Sequence, residues 1–563
     1  MINCSSQLLF KIFLASILII NIFFISNFDK GIESTDESYL LLYALYPDNI
    51  IGRLTNFGII SEKILYLLNF NIFYFRIAGF LILASCSFIL IKSFLFFYNN
   101  CSFKLFCEKY LIYSTGLVGV FCYYRYWVIT PSYNLYNLSG VILFLSGLLF
   151  KINRVSLFYN FRSYFLISLG CTMCFINKPS TLIFLIFLLC IWLLIFYRKF
   201  FFQFLVIYFL IGSIIFYLYG QLFFNDFNFF LEDILIGYEL IKTFDPRYNF
   251  VTLFIFSFKI IISNILSSYI FFLIQIMLFW FLRKNNFSQK YILAFPLVAV
   301  IIYNNLVISV ISVLLHVVLT TSKDKLLKKA NVVLLIIPYL IFSTSFGTNT
   351  NIVTHFQTSA LLFFIFILHS LSLTEYRNPF KINFLIFFLI INISYNFYGN
   401  FFEPRRIQYN IFEQKNEYKV PGFNGKIYVD DFIFSYAKQI SDLNEKIDRY
   451  NIEYLIDYTG RQPLLNILFN LKFISRPWWS GGYAGSNNYV KKILNISDQN
   501  KIARSLIVTY SDSDLQLLDL NNFKNIGIDF KNDYQILGEV ILEKFVKNRK
   551  FNFIVWVPKK YAK

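Results

Sequence analysis

The first 400 residues of the chain alternate between long apolar runs and short polar breaks. A helix needs about 20 apolar residues to cross a bilayer, and thirteen runs approach that length. The predicted membrane helices are 8–26, 77–97, 110–128, 134–150, 163–178, 180–197, 202–220, 253–281, 291–304, 305–321, 331–346, 358–373 and 382–398. We interpret the first as a retained signal anchor. If 291–321 were a single helix, the total would be twelve and the C-terminal region would change sides.

The pattern changes near residue 399, where short strand-like runs alternate with helix-like ones. The predicted strands are 426–429, 454–457, 505–509, 535–540 and 552–557, and the predicted helices are 432–450, 463–471 and 489–494. This alternation indicates a small α/β domain. The predicted fold class is therefore an α-helical polytopic membrane protein with about thirteen transmembrane helices (1–398), followed by an extracytoplasmic α/β domain (399–563).

Two predicted loops on the outer side are long, at about 27–76 and 221–252. Residues 39–46 are amphipathic, a pattern suited to a helix lying in the membrane interface. The second loop has apolar residues at helical spacing in 229–240, which predicts another interfacial helix.

The charges of the chain favour a membrane protein over a nucleic-acid-binding one. The net charge is +19, but the Lys and Arg residues lie in short clusters between the apolar runs. With thirteen spans, eighteen basic residues fall on one side and nine on the other. Basic residues collect on the cytoplasmic side, so we expect a cytoplasmic (inner) membrane location with the C-terminal region outside, membrane lipids as neighbours and no nucleic-acid partner.

The acidic residues are concentrated, since eleven of the fourteen that precede residue 399 fall in the two outer loops. Asp36 and Glu37 follow the first span by about ten residues. Carboxylates are costly near a bilayer and commonly functional there. In the alternative interpretation, Ser34 or Thr35 caps a helix and the acids stabilise its first turn.

The Asp-Glu pair, placed after a hydrophobic anchor, resembles the GT-C superfamily of integral membrane glycosyltransferases. The nearest types are the protein O-mannosyltransferases and the lipid A aminoarabinose transferases (glycosyltransferase family 39-like). Three further elements carry the resemblance: an Arg motif at 75–79 (FRIAG), the turn 130–134 (TPSYN) and the Lys-Pro element at 177–180 (NKPS). Thirteen spans and an outer domain also match that architecture.

The resemblance implies transfer of a sugar from a polyprenyl-phosphate donor to an extracytoplasmic lipid, glycan or protein acceptor. It implies that Asp36 is the catalytic base, with Glu37 orienting it or ligating a divalent metal. A cation would hold the leaving phosphate, and Lys178 is the first candidate, with membrane anchoring as its alternative role. The other candidate substrate-binding residues are Arg53, Arg125, Tyr133, Arg247, Asn349 and His355.

Two other classes of function stay open at this point. A transporter or flippase would favour charges within spans and internal repeats, and a surface-polysaccharide polymerase or ligase shares the substrate class. In the C-terminal region, residues 476–485 (RPWWSGGYAG) combine adjacent Trp with Gly. This composition suits carbohydrate stacking or anchoring in the membrane interface.

Overall fold

A computed structural model describes residues 4–100, 107, 109–151, 157–223, 227–244, 250–285, 295, 298, 305–321, 332–346, 352–374, 376–407, 409–447, 450–544 and 549–561. These residues are mostly helical, with a β-sheet near the C-terminal end. The predicted site residues Arg247 and Asn349 and the basic loop 323–329 lie outside the described residues.

Seventeen helices of the described chain precede the C-terminal sheet. They are α1 Cys4–Ile25, α2 Asp36–Leu45, α3 Phe57–Leu67, α4 Ile72–Asn100, α5 Lys109–Tyr126, α6 Tyr133–Lys151, α7 Leu157–Asn177, α8 Pro179–Tyr197, α9 Phe201–Phe223, α10 Phe227–Ile241, α11 Phe250–Ser267, α12 Tyr269–Lys284, α13 Leu306–Thr320, α14 Val333–Ser345, α15 Ile352–Thr358, α16 Ala360–Leu373 and α17 Asn378–Phe402.

Five stretches of the described helices are long and apolar enough to cross a membrane, and six if α11 and α12, bent by 51°, form one span. The five are Gln7–Ile25, Ile72–Asn99, Tyr133–Lys151, Pro179–Gln221 and Asn378–Phe402. The predicted spans 180–197 and 202–220 thus fall in one apolar stretch, in which α8 and α9 flank a short turn of 3-10 helix. Helices α13, α14 and α16 are apolar but shorter, and α5 and α7 are long but more polar.

The helices pack closely where small residues meet. Gly140 on α6 and Gly170 on α7 face each other so tightly that a Cβ on Gly170 would lie 2.5 Å from the Gly140 carbonyl oxygen. Small residues at such crossings let helix backbones approach, which is a common way for apolar helices to associate. This contact holds the α6–α7 pair, the most extensive helix pair among the described elements.

Several hydrogen bonds between segments of the described chain lie at one end of the helical bundle. Arg76 at the start of α4 binds the carbonyl of Phe28, just after α1. Lys178, between α7 and α8, donates to the Thr344 carbonyl at the end of α14. The C-terminal region lies at this same end, because the long loop after α1 pairs with it.

The C-terminal region contains a five-stranded sheet of order β4-β3-β5-β7-β6 and a separate hairpin of β1 and β2. β3 is parallel to β4 and β5, whereas β7 is antiparallel to β5 and β6. The strands are β1 Asn416–Tyr418, β2 Ile427–Val429, β3 Tyr454–Asp457, β4 Lys472–Phe473, β5 Ser505–Tyr510, β6 Tyr534–Lys544 and β7 Arg549–Pro558.

Five short or medium helices accompany these strands: α18 Asp431–Ile447, α19 Leu464–Leu468, α20 Ser486–Ile496, α21 Gln499–Ala503 and α22 Phe530–Asp533. All five predicted strands and all three predicted helices of this region are confirmed in place, with ends that differ by a few residues. Strands β1 and β4 were not predicted. Asp430 caps α18, since its carboxylate accepts from the backbone N–H groups of Phe432 and Ile433 at 3.0 and 2.9 Å.

The long loop after α1 docks on the C-terminal region through backbone pairing at three places. These isolated bridges join Lys30 to Tyr428, Ile50 to Ser475 and Asn71 to Asn424. The prediction that residues 39–46 lie in the membrane interface is therefore wrong. Helix α2 is buried along 40–44, with exposed fractions of 2 % or less, because the helices cover one of its faces and the C-terminal region covers the other.

Candidate functional site

The N-terminus of α2 is fixed by reciprocal hydrogen bonds between two acids. The Glu33 carboxylate accepts from the Glu37 backbone N–H at 2.9 Å, and the Glu37 carboxylate accepts from the Glu33 N–H at the same distance. Thr35 precedes the helix but its side chain does not cap it; the hydroxyl donates to Glu33 instead. The expected Ser34 or Thr35 cap is thus wrong, since Glu33 takes that role. Burial, followed by the negative charge of Asp36, raises the pKa of Glu33 above its usual value.

Glu37 forms a buried ion pair with Arg76, and both side chains are 1 % exposed or less. Its Oε1 atom accepts from Nη2 and Nε of Arg76 at 2.8 and 3.1 Å, and also from the Thr130 hydroxyl. The remaining guanidinium donors bind backbone carbonyls. Both carboxylate oxygens of Glu37 therefore accept hydrogen bonds. Its ion pair with Arg76 joins α2 to the start of α4.

Asp36 is placed differently from its neighbour. Its carboxylate pairs with Arg406 at 2.5 Å, and the two side chains are 22 % and 38 % exposed, respectively. Arg406 follows α17 and has a positive φ of 59°, a backbone conformation uncommon for a residue with a side chain. Asp36 is therefore the more accessible carboxylate of the pair predicted from the sequence, and it is held by a cation from the segment that leads into the C-terminal region.

Tyr133 links this carboxylate to a group of rings and cations on the helices. The Trp127 ring lies 5.7 Å from the His355 ring and 6.1 Å from the Tyr133 ring, measured between centroids. Tyr133 lies within electrostatic reach of Asp36. Burial, followed by the positive charges of Lys178 and Arg405, holds the pKa of the His355 imidazole well below its usual range. The structure thus brings four sequence-predicted residues into one neighbourhood: Asp36, Tyr133, Lys178 and His355.

A small, partly open cavity, which we call the Arg405 cavity, lies next to these residues. Its charged lining residues are Lys30, Glu37 and Arg405, and the remainder of its wall is mostly apolar and aromatic, including Trp127. Arg405 is half-buried and forms no ion pair or hydrogen bond with the residues described. Burial, followed by the neighbouring charge of Arg406, lowers the pKa of Arg405. An arginine in this setting is suited to binding an anion.

The other two described candidates lie in separate ion pairs. Arg53 pairs with Asp233 of α10, and both side chains are buried; Arg476 donates to the carbonyl of neighbouring Gly52. Arg125 pairs with the partly exposed Glu403 at 3.1 Å. Arg53 therefore joins the loop after α1 to α10, whereas Arg125 holds the segment that carries Arg405.

Sequence reasoning did not select Arg405 and Arg406 as site residues. A signal was present: two adjacent arginines directly after the last predicted span, on the side where basic residues are unfavoured by the positive-inside rule. Among the described residues, no group of three or more His, Cys, Asp or Glu side chains is placed to hold a metal ion. Cys171 and Cys174 are unpaired within the bundle.

No protein-family model, no curated protein and no solved structure matches this chain.

Proposed function

We propose that the protein is a membrane glycosyltransferase of the GT-C type, which moves a sugar from a polyprenyl-phosphate donor to an extracytoplasmic acceptor. The observation that supports this most is the different setting of the two adjacent acids. Glu37 forms a buried ion pair with Arg76, while Asp36 stays partly exposed in its pair with Arg406 and within electrostatic reach of Arg405. One carboxylate is buried, and the other would become available to a substrate when Arg406 releases it.

The chemistry needs a base and an anion site. The acceptor oxygen attacks the anomeric carbon of the donor sugar, the bond from that carbon to the phosphate oxygen breaks, and polyprenyl phosphate leaves. The acceptor hydroxyl gives its proton to Asp36, which requires that Asp36 release Arg406 at least in part. A positioned base of this kind contributes roughly 10²- to 10⁴-fold to a rate.

Arg405 and Lys178 are the cations suited to the leaving phosphate. Arg405 lines the cavity and has no carboxylate partner among the residues described. Lys178 is buried and donates to the Thr344 carbonyl at 2.6 Å, so it would have to exchange that acceptor for a phosphate oxygen. Guanidinium and ammonium groups stabilise charge that develops on a leaving phosphate.

In this proposal the thirteen predicted helices cross the cytoplasmic membrane, with α2, the Arg405 cavity and the C-terminal region on the outer side. The polar ends of α1, α4, α5, α6, α7, α8, α14 and α17 would then face the same compartment as the lipid-linked donor. The acceptor would reach Asp36 from the water-exposed side, where Arg406 lies.

The experiment is a transfer assay with the purified chain in lipid nanodiscs. Radiolabelled sugar on polyprenyl phosphate is supplied with cell-envelope extract, and the labelled product is identified by mass spectrometry as lipid, glycan or protein. Transfer that depends on Asp36 supports the proposal. Movement of the unchanged donor from one leaflet to the other, with no glycosidic product formed, would instead support a flippase.

A further inference from the structure

The two adjacent tryptophans of the C-terminal region have different environments. Trp479 is part of the domain core, with 1 % exposure, and its indole N–H donates to the Arg476 carbonyl at 3.0 Å. Trp478 is half-buried, and its indole N–H donates to the Gly460 carbonyl. Trp479 therefore anchors the segment, and the hydrogen bond of Trp478 fixes the orientation of a ring that is only partly covered.

The Trp478 ring stands between two tyrosines. The Tyr39 and Tyr483 rings each lie 6.3 Å from it, at interplanar angles of 67° and 60°. We call Tyr39, Trp478 and Tyr483 the aromatic triad. A ring packed in this way against protein rings is not inserted in lipid, which disfavours the membrane-anchoring role considered for this segment.

The aromatic triad adjoins the Asp36 carboxylate from two directions. Tyr39 lies three residues after Asp36 on α2, which places both on one face of that helix. On the other side, burial opposes the charge of Arg406, but the carboxylates of Asp36 and Glu33 outweigh it and hold the Arg406 pKa above its usual value, with Tyr483 acting in the same direction. Tyr483 is thus close to the arginine that pairs with Asp36.

Two residues next to the aromatic triad have a left-handed backbone conformation, and an exposed arginine lies beside them. Ser480 and Gly482 have φ values of 54° and 83°. A Cβ on Gly482 would collide with the Arg461 guanidinium, so glycine permits the close approach of that side chain. Arg461 is exposed, donates from Nε to the Gly481 carbonyl at 3.1 Å and forms no ion pair in the described part of the chain.

We propose that the aromatic triad and Arg461 form the acceptor subsite, and that the acceptor is a carbohydrate chain. Pyranose rings present apolar C–H faces that pack on aromatic rings, while their hydroxyl groups accept hydrogen bonds from a guanidinium. Fixed aromatic rings with few rotatable bonds lose little entropy on binding. The inference rests on the proposed function in one respect, since it takes Asp36 as the base that receives the acceptor's proton.

The test is a binding measurement with the full chain in nanodiscs on an array of microbial glycans and Ser/Thr-containing peptides. We expect the wild-type protein to bind glycans, and Trp478→Ala to weaken that binding by roughly tenfold or more. Trp478→Phe keeps a ring and should bind within about threefold of wild type. Trp280→Ala removes an exposed tryptophan of α12 and is the matched control, with no expected change. Arg461→Ala should also weaken glycan binding, and it replaces Trp478→Ala if that variant does not fold.

Absence of glycan binding by the wild-type protein would overturn the proposal, as would a folded Trp478→Ala protein that binds glycans like wild type. Peptide binding that depends on Trp478, without glycan binding, would assign the subsite to a protein acceptor and also overturn it. Binding requires neither donor nor turnover. The result is therefore independent of the Asp36 transfer assay, and either can fail alone.

Discussion

Asp36 and Arg406 form an ion pair of 2.5 Å although 369 residues separate them in the chain. Both side chains remain partly exposed, so the pair contributes little to stability, about 0–1 kcal/mol. Its effect is on reactivity, because a carboxylate that is bound to a guanidinium is not free to accept a proton. If Asp36 is the base, as we propose, access to it depends on the segment that joins α17 to the C-terminal region.

We predict that Asp36→Asn lowers sugar transfer by roughly 10²- to 10⁴-fold with little change in thermal stability. Asparagine keeps the shape of the side chain but cannot accept the proton. Asp48→Asn, at an exposed position of the same loop, is the matched control and should transfer at the wild-type rate. Wild-type turnover by folded Asp36→Asn protein would end the assignment of Asp36 as the base.

For Glu37→Gln we predict a loss of folding stability of about 3–5 kcal/mol, because the substitution leaves the Arg76 guanidinium buried without its counter-charge. Denaturation of the purified protein in mixed detergent micelles measures the change. The control is Glu62→Gln, at a surface pair with Lys63, which should stay within about 0.5 kcal/mol of wild type. Unchanged stability of Glu37→Gln would show that the buried pair does not anchor α2.

Arg405→Ala and Lys178→Ala should each weaken binding of polyprenyl phosphate by roughly tenfold or more, the value of a hydrogen bond to a charged group. Calorimetry with polyprenyl phosphate alone measures this without turnover. Lys178→Arg should retain part of the affinity, because the charge is kept. Lys199→Ala, at an exposed position, is the control. If Lys178→Ala binds polyprenyl phosphate as tightly as wild type, the role of Lys178 is only to join α8 to α14 through the Thr344 carbonyl.

The membrane arrangement has a direct test. Reporter fusions after Asn400 should indicate the outer side, and fusions near Lys325 the cytoplasmic side, as the distribution of basic residues predicts. The paired reporters, one active only outside and one active only inside, control for poor expression. A cytoplasmic signal from the Asn400 fusion would exclude the thirteen-span arrangement.

The C-terminal region should lose stability as the pH rises through about 6. Burial raises the pKa of Asp457 to about 6, with hydrogen bonds from Thr459 and Gln462 opposing the rise. At a pH between the Asp457 pKa of the unfolded state and that of the folded state, only the folded state still holds the proton. The free energy of unfolding is therefore highest below the pKa of the unfolded state and is lost as the pH rises through the pKa of the folded state. Hydrogen exchange of β3 should be faster at pH 8 than at pH 5 after correction for the intrinsic rate, and Asp457→Asn should remove that difference.

The elements of the C-terminal region could be predicted because their signals are local. Tyr454–Asp457 and the strands near 505 and 552 are short apolar runs bounded by polar turns, and the chain alone determines that pattern. Strand β4 spans only Lys472–Phe473, too short to show any period. It exists because β3 offers it a partner.

The burial and the ion pairing of the site residues could not be predicted, because they depend on contacts between segments that are far apart in the sequence. Helix α2 has the composition of an interfacial helix, and only the docked C-terminal region makes it a buried one. The same holds for Arg406: its sequence position shows a cation beside the last span, but nothing local pairs it with Asp36. Glu37 and Asp36 are adjacent in sequence, and their separation into buried and accessible groups comes from Arg76 on another helix.

The three backbone bridges between the loop after α1 and the C-terminal region also set an order for the protein's folding during synthesis. The ribosome makes Tyr428 and Ser475, with which Lys30 and Ile50 pair, only after more than 390 further residues. Until those residues have been made, the loop bearing Asp36 lacks Arg406 and the cover over α2. A nascent chain, or one truncated before residue 406, would thus leave this loop uncovered.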